Sequence, residues 1–442
     1  NPKSWAVTGG SDAYDFNFKG FSVNGKVMSG GIPVLGAKVV AGEDNAPVYT
    51  NEKGEYTFEL IVDPCTIVVS KDGYDFGNGK AVAGETGTAV TANFEGTYSI
   101  YGQVVSGLVG IENVEVLIDG KVAATTDAEG NFVVSGISGG KELAFSKTGV
   151  VFDGTVQVKE YSKIRVDSSL QITLQAKTGT IAINNYNYFV NGQKIGTSQN
   201  SDVQLTAKIG DVITLQKNGY VFEQITVSKE YQYSANASYS VLGTVKSGSR
   251  ELEGAIVRFL DTSVQTKRLS TGELKFIIDG LVGQVSLLVE MQGYNSENLQ
   301  VDSYNDNLLF NLSYFVTGNV TVGKSGIALD GVDVKIKYAD ENGNQENTCK
   351  TDIDGNFKLE AIGEYALELS KENYSFAEIK NQFENKYQVI SAKYSVLGFV
   401  KSGNLVVANK TIVALVEKGE TVTRYATTGK DGSFKFENIS DT

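Results

Sequence analysis

The sequence predicts an all-β protein: a tandem array of about six small Ig-like β-sandwich domains. Three observations carry that prediction. An opening segment recurs at near-constant spacing, a turn with an aromatic strand follows it at a fixed offset, and apolar residues alternate with a period of two. The opening segment is Phe21-Ser-Val-Asn-Gly-Lys-Val, with echoes at Tyr98-Ser-Ile-Tyr-Gly-Gln-Val, Tyr239-Ser-Val-Leu-Gly-Thr-Val, Tyr314-Phe-Val-Thr-Gly-Asn-Val and Tyr394-Ser-Val-Leu-Gly-Phe-Val. These starts are 77, 141, 75 and 80 residues apart, so the gap of 141 holds one degenerate copy.

The second landmark lies about thirty residues further on. It reads Thr50-Asn-Glu-Lys-Gly-Glu-Tyr, Thr126-Asp-Ala-Glu-Gly-Asn-Phe, Thr271-Gly-Glu-Leu-Lys-Phe, Thr351-Asp-Ile-Asp-Gly-Asn-Phe and Thr428-Gly-Lys-Asp-Gly-Ser-Phe. Glycine supplies the positive φ of a tight hairpin, and Asp or Asn bonds the nearby backbone. The third landmark is Lys71-Asp-Gly-Tyr-Asp-Phe, echoed at Lys217-Asn-Gly-Tyr-Val-Phe, Gln292-Gly-Tyr and Lys371-Glu-Asn-Tyr-Ser-Phe; the copy at Lys147 has lost its Tyr.

The period divides the 442 residues into the end of a preceding sandwich (1–20), repeats at 21–96 and 97–177, a shorter degenerate repeat at 178–237, repeats at 238–312 and 313–392, and a truncated repeat at 393–442. Val23, Val27, Val34, Ala37 and Val39, or Ile67 and Val69, have the alternation of half-buried strands. No helical period longer than two turns interrupts them. Junctions such as Phe310-Asn-Leu-Ser-Tyr-Phe-Val carry no Pro-rich or Gly/Ser-rich linker, so a semi-rigid rod or arc of roughly 150–200 Å is expected. Both ends cut into repeats, which suggests a segment of a longer protein with any membrane anchor outside it.

The net charge of −13 argues against a nucleic-acid binder, and no run of 18 apolar residues offers a membrane-spanning helix. The chain has no histidine and two cysteines, Cys65 and Cys349, in modules too far apart to pair. Histidine-based triads, His-ligated metals and Cys-rich clusters are thereby excluded. The expectation is a non-enzyme with no catalytic, cofactor-binding or metal residues. Gly318-Asn-Val-Thr-Val-Gly-Lys-Ser325 matches the phosphate-loop pattern, but it spans an opening strand with no helix expected after it. The acidic turns at Asp127 and Asp352 lack the spaced ligands of a calcium loop and are expected to act as hairpin turns. An isopeptide crosslink would need Lys26 buried beside an Asn and an acid, yet Lys26 becomes Gln103, Thr244, Asn319 and Phe399 in the other copies. Tyr74, Tyr220, Tyr294 and Tyr374 are expected to pack into their own sandwiches with the hydroxyl at a strand corner, in preference to stacking on carbohydrate. Six sequons, at Asn236, Asn311, Asn319, Asn373, Asn409 and Asn438, permit N-glycosylation.

Together the three landmarks resemble the carboxypeptidase-regulatory-like or transthyretin-like sandwich superfamily. A narrower resemblance, to the nodal modulator (NOMO) family, is carried by Asp15-Phe-Asn-Phe-Lys-Gly-Phe-Ser-Val-Asn-Gly-Lys-Val-Met-Ser-Gly-Gly, Tyr239-Ser-Val-Leu-Gly-Thr-Val-Lys-Ser-Gly and Asp431-Gly-Ser-Phe-Lys-Phe-Glu-Asn-Ile. That resemblance implies a non-enzymatic glycoprotein scaffold in the endoplasmic reticulum lumen. Its implied partners are a nicalin-like subunit, a small multipass membrane protein, and the Sec channel of the ribosome-bound translocon, in membrane protein biogenesis. The alternative is a bacterial or other cell-surface stalk or adhesin built from the same repeats.

Overall fold

A computed structural model describes residues 19–323, 326–340, 342–409, 412–416 and 423–440. All but Lys19 and Gly20 of the preceding module expected at 1–20 lies outside the described residues. The described residues form strands and turns without helix. Contacts divide the chain into two compact units: residues up to 176 with 182–216 and 222–235, and residues 177–181, 217–221 and 236 onward.

In the first unit, Phe21–Ser29 lies between antiparallel Glu55–Ile61 and the parallel strands Ala89–Thr91 and Phe94–Glu95. A second sheet, in the order Val48–Tyr49, Lys38–Ala41, Cys65–Ser70 and Lys80–Val82, closes the sandwich. Its core comprises Val23, Val27, Val39, Tyr56, Phe58, Ile67 and their neighbours. The next module repeats the plan, with Thr97–Ser106 between Asn131–Ile137 and Ser162–Thr178. In the second unit, residues 239–246 of the strand Gln232–Ser247 pair with Leu274–Leu281 and Asn305–Asn311, and Tyr314–Val322 with Asn356–Ala361 and Tyr387–Phe399.

One cross-strand contact explains why the first two landmarks recur together. The fifth residue of each opening strand is a glycine placed opposite the hairpin aromatic: Gly25 with Tyr56, Gly102 with Phe132, Gly243 with Phe276, Gly318 with Phe357 and Gly398 with Phe434. The ring lies over the glycine so closely that a Cβ on Gly318 would sit 2.3 Å from the Phe357 ring. Glycine weakens a strand, and a ring covering it restores the buried surface. In the degenerate module both partners change together, to Leu174 opposite Val203.

That pair also relocates a boundary. The degenerate module was expected to begin at 178, but Leu170 occupies the opening position and Leu174 the glycine position, within the strand Ser162–Thr178. Leu170 carries neither the ring nor the hydroxyl of its counterparts, which hid the start. The hairpin Thr is similarly displaced in the fourth module. Thr50, Thr126 and Thr351 bury a hydroxyl that bridges two backbone groups; Thr351, for example, accepts from Val332 N (3.0 Å) and donates to Leu329 O (2.7 Å). Thr266, not Thr271, makes the same pair of bonds, to Ala255 N and Leu252 O. Extra residues between Thr266 and Phe276 account for the shift.

Phe357→Ala is expected to cost about 3–5 kcal/mol of stability, and Gly318→Ala about 1–3 kcal/mol, because the ring must move. Combined, they should cost measurably less than the sum. Urea unfolding followed by amide exchange in the fifth module checks this, and strict additivity would show that ring and glycine do not interact.

Candidate functional site

The most elaborated positions lie at the junctions between modules within each unit. In the first four modules the opening strand ends in a Ser-Gly or Thr-Gly turn whose hydroxyl, on Ser29, Ser106, Thr178 or Ser247, is buried. Ser106 Oγ accepts from Ile209 N (3.1 Å), Thr178 Oγ1 from Gly283 N (3.0 Å) and Ser247 Oγ from Gly363 N (2.9 Å). The turn glycine, at positive φ, meets a facing turn at backbone distance: Gly248 against Gly363, Gly179 against Gly283, and Gly30 against Gly139. A side chain on either face would separate them.

The receiving glycine is also held from its own core. Tyr98 Oη donates to Gly139 O (2.7 Å), Tyr239 Oη to Gly283 O (2.8 Å) and Tyr314 Oη to Gly363 O (2.6 Å). The strand-corner role expected of Tyr74 and its counterparts therefore belongs to the opening tyrosines. Burial pushes the phenols of Tyr98, Tyr239 and Tyr314 up to about 12.

The Gly-Tyr hairpin forms the other half of the joint. Its turn carbonyl accepts from the opening strand: Gly73 O from Ser99 N, Gly149 O from Gln171 N, Gly219 O from Ser240 N, and Asn373 O from Ser395 N. Tyr74 stacks on Phe76 of its own module and tilts against Tyr98 of the next. Tyr294 packs edge-on to Tyr314 and donates to Glu384 Oε1 (2.6 Å), while Tyr220 packs against Tyr239. The glycine before each Tyr is covered by a later side chain: a Cβ there would strike Tyr161 at Gly73, Tyr231 at Gly149, Tyr304 at Gly219 and Lys386 at Gly293. Tyr374 continues the pattern by pairing with Tyr394. These tyrosines are joint residues, which corrects the expectation that each serves only its own sandwich. Lysines brace the same hairpins, with Lys71 Nζ donating to Leu35 O and Lys147 Nζ to Glu112 O.

The crevices are shallow and lie along these joints. One of about 300 Å³ is lined by Asn295, Glu297, Ser313, Tyr338 and Glu360. Within it Asn295 Nδ2 donates to Ser313 Oγ and Glu360 Oε1, both at 2.9 Å, so the carboxylate is engaged by neutral donors.

The remaining candidates take structural places. Asp127 Oδ1 accepts from Glu129 N and Asn131 N, and Asp352 Oδ1 from Asp354 N and Asn356 N, which makes both of them turn caps. Lys26 is exposed and pairs with Glu55 at 3.1 Å, so no buried lysine stands where an isopeptide would form. Residues 318–322 of the phosphate-loop match belong to the strand Tyr314–Val322, and strand resumes at Ile327; Lys324 and Ser325 lie outside the described residues. Cys65 and Cys349 are free thiols, pushed up by burial. Of the sequon residues, Asn236, Asn373, Asn409 and Asn438 are exposed. Asn311 Oδ1 accepts from Gly248 N (2.9 Å) at a joint, and Asn319 Nδ2 donates to Asp354 O (2.8 Å). Among the described residues, no helix is long and apolar enough to cross a membrane.

No family model matches the chain, and no curated protein does. Among solved structures, it is similar to the Bacillus anthracis TIE protein (16% identity, 75% of this chain and 71% of that chain, TM-score 0.20). It is also similar to BcpA, the major pilin subunit of Bacillus cereus (12% identity, 67% and 98%, TM-score 0.18). A third is the shaft pilin SpaA from Lactobacillus rhamnosus GG (11% identity, 35% and 97%, TM-score 0.16). These likenesses assign neither a family nor a function.

Ser247→Ala leaves the buried Gly363 N–H without its acceptor and should destabilise that joint by about 1–3 kcal/mol, read as faster exchange of the Gly363 amide with the two cores unchanged. The raised tyrosine values fix a pH dependence. The neutral phenols contribute stability that is complete below pH 10, their ordinary value, and is lost as pH rises from 10 to about 12. Unfolding should therefore coincide with tyrosinate absorbance across that window, and Tyr314→Phe should displace it upward.

Proposed function

We propose that this chain is a non-catalytic structural array, a stalk or spacer at a cell surface that sets the distance between what lies at its two ends. The observation that carries this reading is the repeated joint: one Ser/Thr-Gly turn locked on a second turn, one tyrosine bonded behind it, and one hairpin hooked on the next opening strand. The polar groups that diverge least between copies are spent on holding modules to their neighbours, and the crevices beside them are shallow. Load passing along the chain meets backbone hydrogen bonds at each joint, in place of a flexible linker.

The second reading is the lumenal scaffold arm of a translocon-associated complex, with a nicalin-like subunit, a small multipass protein and the Sec channel as partners. It rests on the resemblance at residues 15–31, 239–248 and 431–439.

Protease treatment of intact native cells separates the two. Removal of the protein from intact cells is expected for the surface stalk. Protection in intact cells, with ribosomes and Sec channel subunits recovered in mild detergent, would replace that reading with the lumenal arm. Glycans on Asn236 or Asn373 in the native protein would also favour the secretory route of the second reading.

A further inference from the structure

The sheet of the fifth module has an undefended edge. Its strand order is Asn356–Ala361, Tyr314–Val322, then residues 387–392 of the strand Tyr387–Phe399. Among the described residues, 387–392 pair on one side only, in an unbroken parallel register from Thr317 opposite Tyr387 to Val322 opposite Ala392. A sheet edge of this kind presents a row of unpaired N–H and C=O groups, and proteins ordinarily blunt it with charge, bulges or interruption.

The equivalent edges of the first, second and fourth modules carry those devices, and that of the third presents the polar residues Gln232, Ser234 and Asn236. In the second module the outward positions are Lys163, Arg165 and Asp167, where the fifth has Tyr387, Val389 and Ser391. In the first module the closing strand is broken into Ala89–Thr91 and Phe94–Glu95. In the fourth the register shifts opposite Val241 and Gly243, beside Asp306. The fifth has no charge, shift or break. Tyr387 and Val389 point outward, 58% and 73% exposed, beside half-exposed Phe315 on the same face.

The charge around this strip runs against that of the whole chain, whose net charge is −13. Lys358 Nζ lies 3.7 Å from the centre of the Phe315 ring, and Lys393 is exposed at the far end of the strip. Neither lysine has a carboxylate partner among the described residues. Glu360, opposite Phe315 in the register, is occupied by Asn295 and Ser313.

We propose that residues 387–392 are a docking edge for an extended acidic segment of another protein, added as a further strand. Backbone pairing supplies the affinity. Tyr387 and Val389 receive alternate apolar side chains, Lys393 receives a carboxylate at the segment's end, and Lys358, further into the sheet over Phe315, adds positive potential to the same face. This edge is independent of the spacer reading, which concerns the joints.

The test uses the whole 442-residue chain and a capped peptide of alternating Val and Thr with Glu at both ends. The expected result is saturable binding that slows amide exchange at 387–392 and weakens with salt. Val389→Arg, which installs the charge found at Arg165, should weaken binding by about tenfold or more. Lys358→Glu with Lys393→Glu should transfer the preference to a peptide ending in Lys. Exchange in the rest of the fifth module confirms that each variant is folded. Unslowed exchange at 387–392, equal binding by Val389→Arg, or unchanged charge preference overturns the proposal. Concentration-dependent protection of these amides in the chain alone also overturns it, because the occupant would then be a second copy.

Discussion

A sandwich of roughly 75 residues lies near the lower limit at which one core supports itself, and the joints of this chain answer that constraint by sharing aromatic surface. Tyr294 packs against the cores of both the fourth and the fifth modules. Tyr74 belongs to the edge of the first core and leans on Tyr98, which is buried in the second. An aromatic side chain buries a large area for two rotatable bonds, so one ring in two cores supplies packing that neither module has the length to encode alone. The hydrogen bonds around it then have a fixed position, because the ring sets how closely the opening strand and the preceding hairpin approach.

That arrangement clarifies what was legible beforehand. Opening strand, aromatic hairpin and Gly-Tyr segment were readable because strand alternation and turn chemistry are local. Their purpose was less readable. Gly318 and Phe357 are separated by a whole sheet in sequence and become one contact only when the strands pair. The Ser-Gly that follows the copies at Phe21, Tyr98, Tyr239 and Tyr394 was visible in the sequence, yet the acceptor role of Ser247 or Thr178 depends on Gly363 or Gly283, more than a hundred residues away. Tyr74 and its counterparts were placed in their own sandwiches because a repeat pattern records what is common to modules and is silent on what passes between them. The misplaced start at 178 and the misassigned Thr271 have a simpler cause: each copy replaced or shifted the residue used as its marker.

Covariation inside the chain separates structural from incidental features. Where the opening glycine becomes Leu174, the aromatic becomes Val203, so volume is exchanged across one pair of strands and the sandwich persists. Where the opening tyrosine becomes Phe21 or Leu170, the hydroxyl bond to the receiving turn is lost while the apolar position stays buried. Ring and hydroxyl are therefore separable. The apolar body belongs to the module, and the hydroxyl belongs to the joint.

The joints are consequently not equal. Ser106, Thr178 and Ser247 each accept an N–H from the facing turn, whereas Ser29 Oγ, in a residue only 1% exposed, has no partner among the described residues. Gly30 nevertheless meets Gly139 as closely as its counterparts meet theirs, and Tyr98 still holds Gly139 from behind. An unmatched buried hydroxyl costs on the order of 1–3 kcal/mol, which is the free energy that one further hydrogen bond at this place would recover. The first joint thus has the same sterics as the others with less hydrogen-bond enthalpy. In an array whose modules share a plan, the first joint keeps the close glycine contact but lacks the hydroxyl hydrogen bond that Ser106, Thr178 and Ser247 each make at theirs.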